Sequence, residues 1–272
     1  STIHVKAGTY TETLSCNLAV GVNIEGEGDT SVIQINIPNN SSYGAINLVS
    51  STSKTNGNQS ISNIKIVSIA ESLETIAIQV LKRSNVKIHD VTIIDFLGSA
   101  ISIKGVTPPY TGFNGTYVIP TLYETGNEIY NSVITDCADR AYGGGSIDFN
   151  DQEGLLIHDN IFRNDGRADN HNGNILSGWW GFSKGLKIYN NKFYKPLIET
   201  TGWNFIGEIG MSYGGNEVYN NEFHNGVGLD IAAIENVKGT YGYSWWIHDN
   251  LFQLDRRITL AEDYHGMYAV CW

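Results

Sequence analysis

Charge is scarce in this 272-residue chain: charged residues make up 17% of it, and the basic ones, 17 against 28 acidic, are the scarcer sign. A net charge of −11 excludes the basic field that holds nucleic acid or an anionic membrane surface. It also disfavours a strongly anionic polymer unless a cation intervenes. Cysteine is rare as well. Cys16, Cys137 and Cys271 lie far apart with no metal-ligand spacing, so they read as buried core residues, with at most one disulfide among them. No apolar run is long enough to span a membrane, and no signal peptide precedes the strand-like opening at Ser1. That abrupt opening is what remains when an export signal and a first turn have been removed, and Trp272 need not be a natural end. The expectation is a secreted chain, extracellular or at the cell surface.

Glycine is plentiful, with 30 residues, and hydrophobic residues reach 41%, ample for a core. Gly and Asn tolerate left-handed backbone, so this mixture suits many short strands joined by tight turns. Between Gly154 and Phe252 one phrase occurs four times: GLLIHDNIF, GLKIYNNKF, GNEVYNNEF and SWWIHDNLF. Its central aliphatic residues, Ile157, Ile188, Val218 and Ile247, are 31, 30 and 29 residues apart. Alternation inside each phrase is the strand period, and a repeat of this length built on strands is a solenoid whose units bury their faces by stacking. Asn160, Asn191, Asn221 and Asn250 recur at one place in the unit. Stacked amides there can hydrogen-bond from coil to coil.

The opening strand with Gly8-Thr9-Tyr10, then GVNIEGEG from Gly21, and the later IYNN phrases resemble the coils of right-handed parallel β-helix proteins of the pectin-lyase-like superfamily. The resemblance covers nearly the whole chain. It implies an all-β, single-domain right-handed parallel β-helix of about nine coils over 1–272, with a function among the lyases, hydrolases, esterases, epimerases and non-catalytic members of that superfamily. Further copies of the phrase are marked by Ile24, Ile64, Ile88 and Ile129. Two long gaps between markers are read as insertions. One, 37–60, is Asn/Ser/Thr-rich and taken as a polar excursion. The other, 105–125, carries Tyr110, Phe113, Tyr117 and Tyr123 and could wall one side of a substrate groove or pack on the flank of the stack.

Each coil carries a second apolar strand beyond its Asn corner, at 99–105, 144–151, 173–180, 204–212 and 228–236. Outward residues of successive coils stand in rows about 4.8 Å apart. Lys104, Asp148, Asn150, Asn174, Glu208 and Asp230 are the outward candidates, and three of them are carboxylates. A glycoside hydrolase needs such a pair, one group as acid and the other as base or nucleophile. Glu208 and Asp230 on adjacent coils approach the ~5 Å of a retaining pair, and Asp148 and Glu208, two coils apart, the ~6.5–9.5 Å of an inverting one. A slip of one residue in any strand turns its side chain inward.

The segment FRNDGRADNHNGN, 162–174, is a second constellation. Asp165, Asp169 and Asn172, with Asn170 and Asn174, are oxygen ligands of the kind calcium takes, although the spacing fits no EF-hand loop. Arg163, Arg167 and His171 could hold a uronate carboxylate or take a C5 proton, and a plain polar turn explains the segment equally. Trp179, Trp180 and Trp203 flank the candidate strands as sugar platforms or core filling, and one of Trp245 and Trp246 must point out of its coil. The Asn-Thr-Asp, Asp-Asp and Gly-His-Gly motifs of polygalacturonase-type hydrolases do not occur, Asn150-Asp151 being the nearest, and the Lys/Arg arrangement of the calcium-dependent alginate and chondroitin lyases is missing.

Three readings follow, all with a polysaccharide or oligosaccharide as partner and none with nucleic acid or membrane insertion. The first is a glycoside hydrolase with Asp148, Glu208 and Asp230 as catalytic groups and Lys104, Asn150, Asn174, Arg163, Arg167, His171 and the three Trp as substrate contacts, without a cofactor. The second is a uronate-directed lyase or epimerase, with calcium as its conceivable cofactor. The third is a non-catalytic carbohydrate-binding β-helix.

Overall fold

A computed structural model describes residues 1–37, 44–69, 75–106, 121–138, 145–163, 174–177, 183–194, 206–207, 215–224 and 245–253. Every strand pairing in it is parallel, and no helix occurs among the described residues. A fifteen-stranded sheet receives two strands from each repeating coil, for example Leu156–His158 and Ile161–Arg163. A seven-stranded sheet receives the coil's third strand, in the order Cys16–Asn17, Gly44–Val49, Ile76–Leu81, Ile101–Lys104, Gly145–Asn150, Asn174–Ser177 and Ile206–Gly207. The architecture is that of a parallel β-helix.

The aliphatic marker defines one inner row. Ile3, Ile24, Ile61, Ile88, Ile129, Ile157, Ile188, Val218 and Ile247 pair rung to rung, which makes nine rungs among the described residues. The third-rung marker is therefore Ile61, three residues before the expected Ile64. Ile64 begins the strand after the corner and pairs with Val91, so of the three buried isoleucines in the ISNIKI stretch the first, not the second, is equivalent to the other markers. The phenylalanine that closes each phrase makes a second inner row. Phe162, Phe193, Phe223 and Phe252 stack with centroids 4.9, 4.9 and 4.7 Å apart. Removing a side chain of this size from water stabilises by roughly 2–3 kcal/mol.

The corner between the two strands of the large sheet turns on a single left-handed residue. Asn63, Asp90, Asn131, Asp159, Asn190, Asn220 and Asp249 hold φ between 49° and 56° there. Asn and Asp bear this conformation best among residues with a Cβ, whereas others lose about 1–2 kcal/mol. The turned residue aims the next one inward, and at Asn160, Asn191 and Asn221 that residue is buried. Asn160 Nδ2 donates to Asn191 Oδ1, Asn191 Nδ2 to Asn221 Oδ1 and Asn221 Nδ2 to Asn250 Oδ1, each at 3.0 Å. Each Oδ1 also accepts the backbone N–H of the preceding rung's Asn, and each Nδ2 donates to a carbonyl further back, as Asn191 does to Ile157 at 2.9 Å. The expected amide ladder is thus present. Towards the N-terminal side it gives way to Ser132, whose N–H donates to Asn160 Oδ1.

Other corners are satisfied differently. Gly126, at φ 69°, allows close approach: a Cβ there would lie 2.1 Å from Asn85 Oδ1. Arg83 is buried and braces the early coils, donating to Gln59 Oε1 and to the Leu18 and Val49 carbonyls.

Two sequence expectations change. Residues 44–49 are a buried strand of the seven-stranded sheet and 55–60 begin a strand of the large one, so 37–60 is mostly a coil of the stack, not a polar excursion. Its polar composition goes into ladder groups such as Asn47, which bonds the Gly44 N–H and C=O with its own amide. Cys16 is exposed, not buried, whereas Cys137 is buried. Cys271 lies outside the described residues, as do 107–120 of the other presumed insertion.

Asn191→Ala removes two donors and the acceptor for two more from a dry corner, and should lower stability by about 2–4 kcal/mol in equilibrium urea unfolding. Asn190→Gly, at the exposed left-handed position beside it, should stay within about 1 kcal/mol of the wild type in the same measurement.

Candidate functional site

On the seven-stranded sheet, Ile101, Ile103, Ile147 and Phe149 point into the core, so Ser102, Lys104, Asp148 and Asn150 take the opposite face. The register sets out one outer row as Asn47, Gln79, Ser102, Asp148, Ser177 and Gly207. Asp148 is the only carboxylate in it among the described residues. Lys104, diagonal to Asp148 on the neighbouring rung, forms an ion pair with it at 2.5 Å, and their side chains are 32% and 20% exposed. Lys104 and Asp148, expected separately as substrate contact and catalytic group, are thereby brought together.

Two rungs beyond Asp148 the row reaches Gly207. Glu208 and Asp230 themselves lie outside the described residues, as do Asp165, Arg167, Asp169, Asn170, His171, Asn172, Trp179, Trp180 and Trp203. Asn150, expected to be open, is buried at 4%, and its carbonyl accepts the N–H of Gly105 and Nε2 of Gln152. Ser102 is buried too, at 1%. Outward parity on this sheet therefore does not mean exposure: Ser102 and Asn150 are buried, whereas Lys104 and Asp148 are partly open.

Asn174 pairs with Gly145, three residues before the Asp148 rung position. Arg163 belongs to the large sheet, with its guanidinium 5.0 Å above the Tyr194 ring, and is not part of the Asp148 face. Among the described residues no group of three His, Cys, Asp or Glu could hold a metal ion. One further acid is committed to structure. Glu124 is 1% exposed, and its carboxylate accepts the Lys54 N–H on both oxygens at 3.0 Å and the Ser84 hydroxyl at 2.9 Å.

A second surface constellation was overlooked in the phrase itself. From Ile88 onward the residue after each marker is His89, Tyr130, His158, Tyr189, Tyr219 or His248, and these rings form one outer stack on the large sheet. Centroids are 4.6–5.2 Å apart and planes within 7° of parallel. The signal was legible as IHD and IYN recurring at rung spacing. The next outer row includes Lys87, Glu128, Leu156, Lys187, Glu217 and Trp246. Glu128 bonds Lys87 and His158 Nε2, both at 2.9 Å. Partial burial is the largest single influence on Glu128 and pushes its carboxyl up, but the hydrogen bonds and charges of Lys87 and His158 together outweigh it and hold the group below the ordinary carboxylate range. Lys87 is raised in turn, first by that same hydrogen bond.

No protein-family model matches the chain, and no curated protein matches it. Among solved structures it is similar to the pre-mature bacteriophage phi29 gene product 12, at 14% identity and TM-score 0.53 over 92% of this chain and 32% of that one. It also aligns with Geobacillus virus E2 ORF18, at 13% identity and TM-score 0.44 over 93% and 53%, and with the catalytic unit of a thermostable GH87 α-1,3-glucanase from Streptomyces thermodiastaticus strain HF3-3, at 10% identity and TM-score 0.30 over 93% and 61%. The chain spans about a third of the phage protein's length and less than two thirds of the other two. The likeness to the phage protein concerns the fold alone.

Because Glu128 is held low, the stability it contributes is complete above the ordinary carboxylate range and is lost as pH falls through its folded value. Glu128→Gln should flatten the acid limb: thermal unfolding followed from pH 7 to pH 3 should show the wild type losing more of its melting temperature than the variant.

Proposed function

We propose that this chain is a polysaccharide-active β-helix whose working face is the outer side of the seven-stranded sheet, and that it acts as a glycoside hydrolase. The observation that carries the reading is Asp148, a partly buried carboxylate on that sheet, ion-paired to Lys104. The net charge of −11 agrees with a substrate that is not a polyanion.

In this reading Asp148 is the charged member of the pair and serves as base or nucleophile, with Lys104 positioning it. The acid that protonates the leaving oxygen is then a second carboxyl group, for which Glu208 and Asp230 are the candidates. With Asp148 as base, a water attacks the anomeric carbon as the glycosidic bond breaks, and the acid's proton goes to the departing oxygen. Polymers of this kind are met outside the cell, so the reading includes export.

The test is cleavage of soluble α-glucan, β-glucan, xylan and alginate, followed by reducing-end release and mass spectrometry. Release from a neutral glycan that drops at least a hundredfold in Asp148→Asn, with the circular dichroism spectrum intact, is the expected result. Products absorbing in the ultraviolet through a new C4–C5 double bond would instead make the chain a lyase. Failure to cleave any of the four would remove the enzymatic reading.

A further inference from the structure

The two outer rows of the large sheet differ in what their rings can offer. In the stack from His89 to His248 each interior ring has a neighbour on both faces, so only ring edges reach solvent. Trp246 belongs to the adjacent row and is 63% exposed, against 41% for Tyr10. Its indole leans on His248, with centroids 4.2 Å apart and planes tilted by 33°. One side of the indole is thus propped by a ring that is itself stacked on Tyr219 at 5.2 Å, and the rest is left to solvent.

The groups around this ring are those that hold a polyol. Glu217 is in register with Trp246 on the preceding rung, 27% exposed and 3.5 Å from Lys187. Asp249 follows His248 at the corner, 74% exposed, and accepts from or faces its Nδ1 at 2.8 Å. A flat apolar face beside carboxylates that can accept from vicinal hydroxyls fits the C–H face and the hydroxyl edge of a pyranose. The two acids, on a chain of net charge −11, disfavour an anionic sugar at the same place.

We infer that Trp246, with Glu217 and Asp249 beside it, is a non-catalytic binding site for a neutral glycan on the large sheet, separate from the Asp148 face. The site rests on the polysaccharide reading above and adds to it a second hold on the same polymer. Because His248 is anchored in a stack that runs through Tyr219 and Tyr189, the platform is rigid before the sugar arrives, which limits the entropy lost on binding.

Affinity electrophoresis through gels containing soluble α-glucan, β-glucan or xylan, with alginate as the anionic comparison, tests it. The wild type should be retarded by at least one neutral glycan, Trp246→Ala should weaken that retardation by about tenfold or more in Kd, and Trp246→Tyr should restore part of it. Trp246 is exposed, so the variants should keep the wild-type circular dichroism spectrum. Trp246→Ala should still release reducing ends from short oligosaccharides. Absence of cleavage by the wild type, with Trp246-dependent binding present, would sink the hydrolase and leave this site standing. Equal retardation of wild type and Trp246→Ala, retardation by alginate alone, or no retardation by any glycan would overturn the site.

Discussion

The structure depends on the left-handed residue at each corner of the large sheet and, from Asn160 to Asn250, on the amide that follows it. A parallel stack must turn sharply at the same place in every rung, and the turn exposes backbone donors to a dry interior. Asn190, at φ 56°, makes the turn, and Asn191 fills the space it opens while bonding the rungs on both sides. Those two consecutive demands explain why the phrases read Asn-Asn or Asp-Asn at the corner. They also fix the register of everything else, because a rung held at its corner cannot slide against its neighbours.

Rows of side chains are the direct outcome. Inside, aliphatic and phenylalanine rows give the apolar burial. Outside, the same register brings like residues face to face whether or not that is useful, and it produces both the His/Tyr stack and the Lys87–Glu128 and Lys192–Glu222 ion pairs. Asp148 and Lys104 are another product of the same rule, one rung apart on the third strand. A candidate site on this scaffold therefore consists of residues far apart in sequence that share a row or a diagonal.

The scaffold was legible in the sequence because its period is written in strongly apolar residues at nearly constant spacing, and the amide ladder from Asn160 to Asn250 could be named from that period alone. Errors arose where the period is less regular. Ile64 was taken for Ile61 because both precede an alternating pattern and only the backbone distinguishes the strand before the corner from the strand after it. On the third strand no corner amide recurs to count from, so alternation alone leaves the phase of one rung against the next open, and the pairing of Asp148 with Ser177 and of Ser177 with Gly207 comes from the backbone. Burial of Ser102 and Asn150 was invisible for a different reason: alternation tells which face a residue takes, not what lies over that face. The ion pair of Lys104 with Asp148 could have been anticipated from rung spacing and opposite charge, and the ring stack from the recurring His and Tyr after each marker.

The amide ladder has a direction. At every rung the side-chain and backbone donors of one Asn point to the oxygen of the next Asn along the chain, from Asn160 to Asn191, Asn221 and Asn250. The acceptor for a finished corner is thus supplied by the corner made after it. A ribosome delivers rungs in that same order, so each emerging coil closes the hydrogen bonds its predecessor left open, and the stack grows as a ratchet whose last tooth is always the least secure.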